Sequence, residues 1–157
     1  MSGTSIKQRH IQTAGAPAAI GPYSQAIVAN GMVFCTGQVA IDPETNKLVG
    51  DDIATQTRRV LDNLKAVLEA AGSSIHNVVM TTVYLANFAD FPQMNEIYHD
   101  YFADIKPARS TVEVGLPGKM LVQIDCIAIV SSQISQISVV EARESESTYD
   151  LDLDRDF

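Results

Sequence analysis

The residues best placed to do chemistry interrupt two β-rich runs near the end of the folded region. Arg109, Thr111 and Glu113 alternate along one face of a strand predicted over Arg109–Val114, while Ser110, Val112 and Val114 take the other. Gln123 and Asp125 share one face of a second predicted strand, Met120–Val130, whose opposite face is wholly apolar. A guanidinium fixed on a strand presents a planar fork that takes a carboxylate through two parallel hydrogen bonds. Charged groups are rarely buried unless paired. Arg109 therefore either forms a structural salt bridge with Asp125 or Glu113, or clamps the carboxylate of a ligand, and the pattern alone leaves both open. Pairing of the two strands as a hairpin, with Arg109 opposite Gln123, would turn all these side chains to one side of the sheet.

Other reactive side chains are less informative. His10, His76 and His99 show no metal-ligand spacing and no neighbour that suggests a triad, so each is expected at or near the surface. No metal site is expected. Ser110 lacks a visible base and faces away from Arg109 in an extended strand. Cys35 and Cys126 lie far apart inside apolar stretches and read as small core hydrophobes. Gly115-Leu116-Pro117-Gly118-Lys119 lacks the spacing of a phosphate loop.

These residues must be positioned by an α+β framework. Ala26–Ala29 and Met32–Val39 are β-rich runs joined by Asn30-Gly31, a strong hairpin signal. The turn-rich Asp42–Asn46 follows, and Asp51 or Asp52 then caps a helix. Val60, Leu61, Leu64, Val67, Leu68 and Ala71 make that helix's buried stripe, and Gly72 stops it. Ile75–Leu85 reads as a strand. A second helix is predicted from Asp90, with Gln93 as a capping-box partner, a stripe of Met94, Ile97, Tyr98, Tyr101 and Phe102, and an end at Lys106-Pro107. The order predicts two helices on one face of a mixed sheet. The other face then needs a partner, and a second subunit is the natural one.

Composition bounds the function classes. The chain has 157 residues, 46% of them hydrophobic and 19% charged, with a formal net charge of −8, which suits one folded domain. That charge argues against an open surface for nucleic acid or anionic lipid. No apolar run approaches the roughly 20 residues of a membrane span. The first residues lack the apolar core of a secretory signal, and the two distant cysteines suit a reducing compartment. A cytoplasmic protein is expected, with a mitochondrial one left open. Residues 1–130 form the predicted domain, and residues 131–157 carry seven acidic against two basic residues as an acidic, disordered extension. Within that extension Ile134–Val140 could add a short edge strand.

Several of these segments resemble one family. Ala16–Ala26 resembles the opening motif of the RidA/YjgF family, Cys35-Thr36-Gly37-Gln38 its small-residue-Gly-Gln strand, and Gln56–Gly72 its first helix. Met94–Tyr98 is similar to its second helix and Pro107–Val114 to its signature hairpin, so the likeness spans residues 10 to 130. The resemblance implies a chorismate-mutase-like α+β fold assembled as a homotrimer with its sheets inside. It also implies hydrolysis of 2-iminopropanoate and 2-iminobutanoate to 2-oxo acids and ammonia, with no metal or organic cofactor. By position, Arg109 would clamp the substrate carboxylate, the backbone N–H groups of Gly37 and Thr111 would add hydrogen bonds, and Tyr23 and Asn95 would line the cleft. Thr36 and Asp125 are further candidates. Gln123 stands where the family has a glutamate credited with positioning or activating water, and an amide can orient water but cannot accept its proton. Two rivals accompany that reading. One is a trimeric 2-oxo-acid-binding or chaperone-like protein. The other is a ribonuclease or translation inhibitor, against which the acidic balance counts.

Overall fold

The computed structural model describes residues 7–134. Asn30 and Gly31 both take positive φ, 50° and 74°, and turn β2 (Ala26–Ala29) back onto β3 (Met32–Val39) as the sequence predicts. Short β1 (Arg9–Ile11) pairs antiparallel with β2. Asp52 is the cap of α1 (Ile53–Ala70): its carboxylate accepts the Thr55 N–H at 2.8 Å, which holds that carboxyl below the ordinary aspartate range. The predicted stripe Val60, Leu61, Leu64, Val67, Leu68 and Ala71 is fully buried against the sheet. Gly72, with φ +79°, ends the helix.

The predicted Ile75–Leu85 strand is shorter than its β-branched content suggests. Ile75–Asn77 forms a 3-10 turn, and β4 runs over Val78–Leu85. The second helix, α2 (Phe91–Phe102), is capped differently from the prediction. Asp90 makes no side-chain cap because it already belongs to a 3-10 turn, Phe88–Asp90, whose own cap is Asn87 accepting the Ala89 N–H at 2.9 Å. Pro92 in the first turn of α2 suits a position whose N–H has no helical partner. The helix stops at Phe102, ahead of Lys106-Pro107, and Lys106 takes φ +47° on the way to β5 (Ala108–Glu113).

Here the topology overturns an expectation. β5 and β6 (Val122–Ile129) are not a hairpin. The sheet order is β1-β2-β3-β6-β4-β5, with β5 parallel to β4 and β6 antiparallel to both β3 and β4. Helix α2 is the crossover that a parallel β4–β5 pair requires, and β6 then inserts at the sheet's centre. Arg109 pairs with Thr81, which pairs with Cys126 and through it with Cys35, a row on the helix side. Gln123 pairs with Tyr84, and Tyr84 with Val112, on the opposite side. Arg109 and Gln123 thus lie on opposite faces, two strands apart.

The face away from the helices remains open. A row His10–Ile27–Phe34–Ile127–Met80 crosses it, with Phe34 44% and Met80 38% exposed. After β6 the backbone makes a single helical turn, α3 (Ser131–Ile134), so Ile134, the first residue of the expected edge strand, ends a turn of helix, and residues 135–140 lie outside the described residues. The rest of the predicted acidic extension lies outside the described residues. Among the described residues no helix is long and apolar enough to cross a membrane.

Candidate functional site

Arg109 stands on β5, an edge strand bonded only to β4, so half of its backbone groups face outward. Helix α2 shapes the guanidinium. Its Nη1 donates to Asn95 Oδ1 at 2.7 Å, and its carbon lies 4.7 Å from the Tyr98 ring centre and 5.5 Å from that of Phe91. Asn95 and Tyr98 are one helical step apart, which places both over the same strand residue. Tyr98 is fixed in turn by a 2.7 Å hydrogen bond to buried Thr81, and burial pushes its phenol up. Neither candidate carboxylate reaches Arg109. Asp125 accepts the Tyr84 hydroxyl at 2.9 Å, and Glu113 accepts the Phe88 N–H at 2.6 Å. Among the described residues Arg109 has no ion pair. The salt-bridge reading is therefore excluded there, and an exposed cation backed by aromatic rings faces a cleft of about 390 Å³ lined also by His99, Lys106 and Pro107.

Tyr23 and Thr36 lie in a different cleft, about 650 Å³, with His10, Ser24, Ile27 and Phe34. Gln25 builds its wall. Its buried amide accepts the Thr13 N–H at 2.6 Å and donates to the carbonyls of Thr13, Ala16 and Pro17, fastening the irregular segment that leads to Tyr23. The β3 strand bulges here: between the Cys35–Cys126 and Gln38–Ile124 pairs it holds one more residue than β6, at Thr36 and Gly37. A side chain at Gly37 would displace the Gln123 amide. A Cβ there would fall 2.8 Å from the Gln123 Cδ, because the Gln123 amide lies across it. Gln123 and Gly37 thus lie side by side, with Tyr84 and Asp125 beside them on the open face. Asp125 raises the Tyr84 phenol through their hydrogen bond, helped by burial.

The candidate residues therefore fall into two groups. Tyr23, Thr36, Gly37 and Gln123 gather around β3 and the open face, whereas Asn95, Arg109 and Thr111 gather at the β5 edge.

The sequence model of the family described as Endoribonuclease L-PSP matches residues 13–130. A RutC family protein of Pyrococcus horikoshii is 53% identical over 119 residues, which cover 75% of this chain and 94% of that protein. The chain belongs to the RidA/YjgF family. A chloroplastic Reactive Intermediate Deaminase A of Arabidopsis thaliana is 46% identical over 129 residues, covering 82% of this chain and 69% of that protein. Among solved structures, a protein of the conserved Rid family from Yersinia pestis, YyfA, superposes with a TM-score of 0.77 at 50% identity, covering 79% of this chain and all of its own. The TdcF protein of E. coli, solved with bound serine, gives 0.73 at 37% identity, covering 78% of this chain and 99% of its own. The mixed sheet with helices packed on it is thus the Rid fold.

Within this Rid chain, two side-chain pairs escape a reading by sequence spacing. His10 Nδ1 lies 2.7 Å from Ser24 Oγ, and Tyr84 lies on Asp125. Both join residues from different strands or loops, separated by 14 and 41 positions. Only the register of β1 on β2, and of β4 on β6, brings them together.

Proposed function

We propose that this Rid protein hydrolyses small 2-imino acids to 2-oxo acids and ammonia, at clefts that neighbouring copies of the chain complete. The observation that carries the reading is Arg109: an exposed guanidinium with no ion pair among the described residues, oriented by Asn95 and backed by two aromatic rings. Such a fork suits a small carboxylate. The likeness to a named reactive intermediate deaminase supplies the reaction class.

The split between half-sites supports an assembly. Arg109 and Gln123 cannot meet one ligand within a chain, since β4 and the sheet itself separate them. The open face, with Phe34, Ile127, Met80 and Val112 on it, offers the apolar surface a second copy would cover. A homotrimer with its sheets inside would bring the Arg109 edge of one copy to the Tyr23–Thr36 cleft of the next. There Arg109 would hold the carboxylate, the N–H groups of Gly37 and Thr111 would add hydrogen bonds, and the Gln123 amide would orient water. An imine carbon is already electrophilic, so proximity and orientation lower most of the barrier.

Gln123 favours one second reading, a trimer that binds 2-oxo acids without turning imines over, because an amide cannot accept a proton from water. A coupled assay separates the two. Threonine dehydratase supplies 2-iminobutanoate, and 2-oxobutanoate release is followed with and without the protein. Faster release supports the deaminase, and an unchanged rate with measurable 2-oxobutanoate binding supports the binder.

A further inference from the structure

Imine hydrolysis moves two protons, and Gln123 can carry neither. The cleft that holds Tyr23 and Thr36 contains a group that can. His10 sits on β1 at the end of the open-face row, opposite Ile27, with its Nδ1 2.7 Å from Ser24 Oγ. Ser24 is held in turn, because the adjacent Gln25 is tied down by four hydrogen bonds and accepts the Thr36 N–H on its own backbone carbonyl at 3.0 Å. In the tautomer whose Nδ1–H donates to the Ser24 oxygen, the Nε2 lone pair is open. That nitrogen has no hydrogen-bond partner among the described residues.

We propose that His10, oriented by Ser24, is the proton-transferring group of this cleft, an inference that rests on the deaminase reading above. As the water oxygen bonds to the imine carbon, the C=N π pair moves onto nitrogen and Nε2 takes a proton from the water. The imidazolium then returns that proton to the amine of the carbinolamine. Nε2 next takes the carbinolamine hydroxyl proton and delivers it to the amine nitrogen as the C–N bond breaks, so the carbonyl forms, ammonia leaves and His10 is neutral again. Imidazole is the side chain whose charge changes between about pH 5 and 8, so it can serve in both directions near neutrality. Of the residues lining the cleft, only Tyr23 and Cys35 titrate besides His10, and none is a carboxylate or a lysine. Strand β2, with which β1 pairs, and β3 beyond it carry no charged residue. The neighbouring Arg9 turns to the other face and donates to the Ala71 carbonyl at 2.8 Å.

The test compares His10→Gln with wild type. An amino-acid oxidase in excess generates 2-iminobutanoate, and 2-oxobutanoate release above the uncatalysed rate is measured across about pH 5.5 to 8.5. Wild type should lose kcat on the acid side as the imidazole protonates. His10→Gln should lower kcat by about 10²-fold or more and abolish that limb. KM and the affinity for 2-oxobutanoate, read by calorimetry, should stay within about twofold because the carboxylate clamp is elsewhere. Ser24→Ala, which frees the ring but keeps it, should lower kcat less than His10→Gln and retain the acid limb. An active wild type with an unaltered His10→Gln profile would overturn the role of His10 and leave the deaminase reading standing. A wild type inactive at every pH would overturn both.

Discussion

Arg109 is where binding can be tested most cleanly, because its partners are few and known. Asn95 takes one donor of the guanidinium and two rings hold its plane, which leaves the rest of the fork for a ligand. Arg109→Lys keeps the charge but loses the fork. It should weaken 2-oxobutanoate binding by about 1.5–3 kcal/mol in calorimetry, and an unchanged affinity would take Arg109 out of the site. Gln123 tests water rather than substrate. Gln123→Leu removes the amide while leaving Gly37 covered, and should lower kcat roughly tenfold with binding intact. If Gln123→Glu instead raised turnover by about 10²-fold or more, the natural protein would lack a working base, contrary to the role given to His10. The residue types were legible in the sequence, as a cation and an amide in apolar strands. Their directions were not. Alternation fixes faces within a strand, but which faces of two strands coincide depends on how the strands pair, and β6 pairs with β3 and β4 rather than with β5.

At the scale of elements, buried amides do much of the positioning. Gln25 fastens residues 13–17, and Gln56, fully buried on α1, joins the Gly50 and Lys119 carbonyls to the Leu121 N–H. Gln25→Ala strands several backbone groups and should cost about 1–3 kcal/mol in urea unfolding. Because the same amide steadies the Tyr23–Ser24 loop, ligand affinity should fall with it. The α1 stripe, the Asn30-Gly31 turn and the limits of β2 and β3 could be read directly, since each rests on local chemistry: period, φ preference and burial. The β5–β6 hairpin could not. A glycine-proline turn between two strands favours adjacency locally, but Val122, Ile124, Cys126 and Ala128 demand burial on the helix side at the sheet's centre. Strand β6 meets that demand between β3 and β4, leaving the more polar β5 at the edge.

At the scale of the molecule, the open face and the divided site make the same demand. The sheet shows Phe34, Met80 and Val112 to solvent and carries Arg109 and Gln123 on opposite faces, which is what the proposed assembly would cover and join. Light scattering at micromolar concentration should give a trimer, and Phe34→Glu, which places a charge within the row Ile27–Phe34–Ile127, should dissociate it. The most direct measurement uses two variants that damage different half-sites, Arg109→Ala and Tyr23→Ala. Each should lack deaminase activity alone. Co-expressed in equal amounts and purified together, they should recover activity, with about a quarter of the sites intact if copies mix at random. Mixed assemblies that stay as inactive as either variant would contradict a site shared between copies.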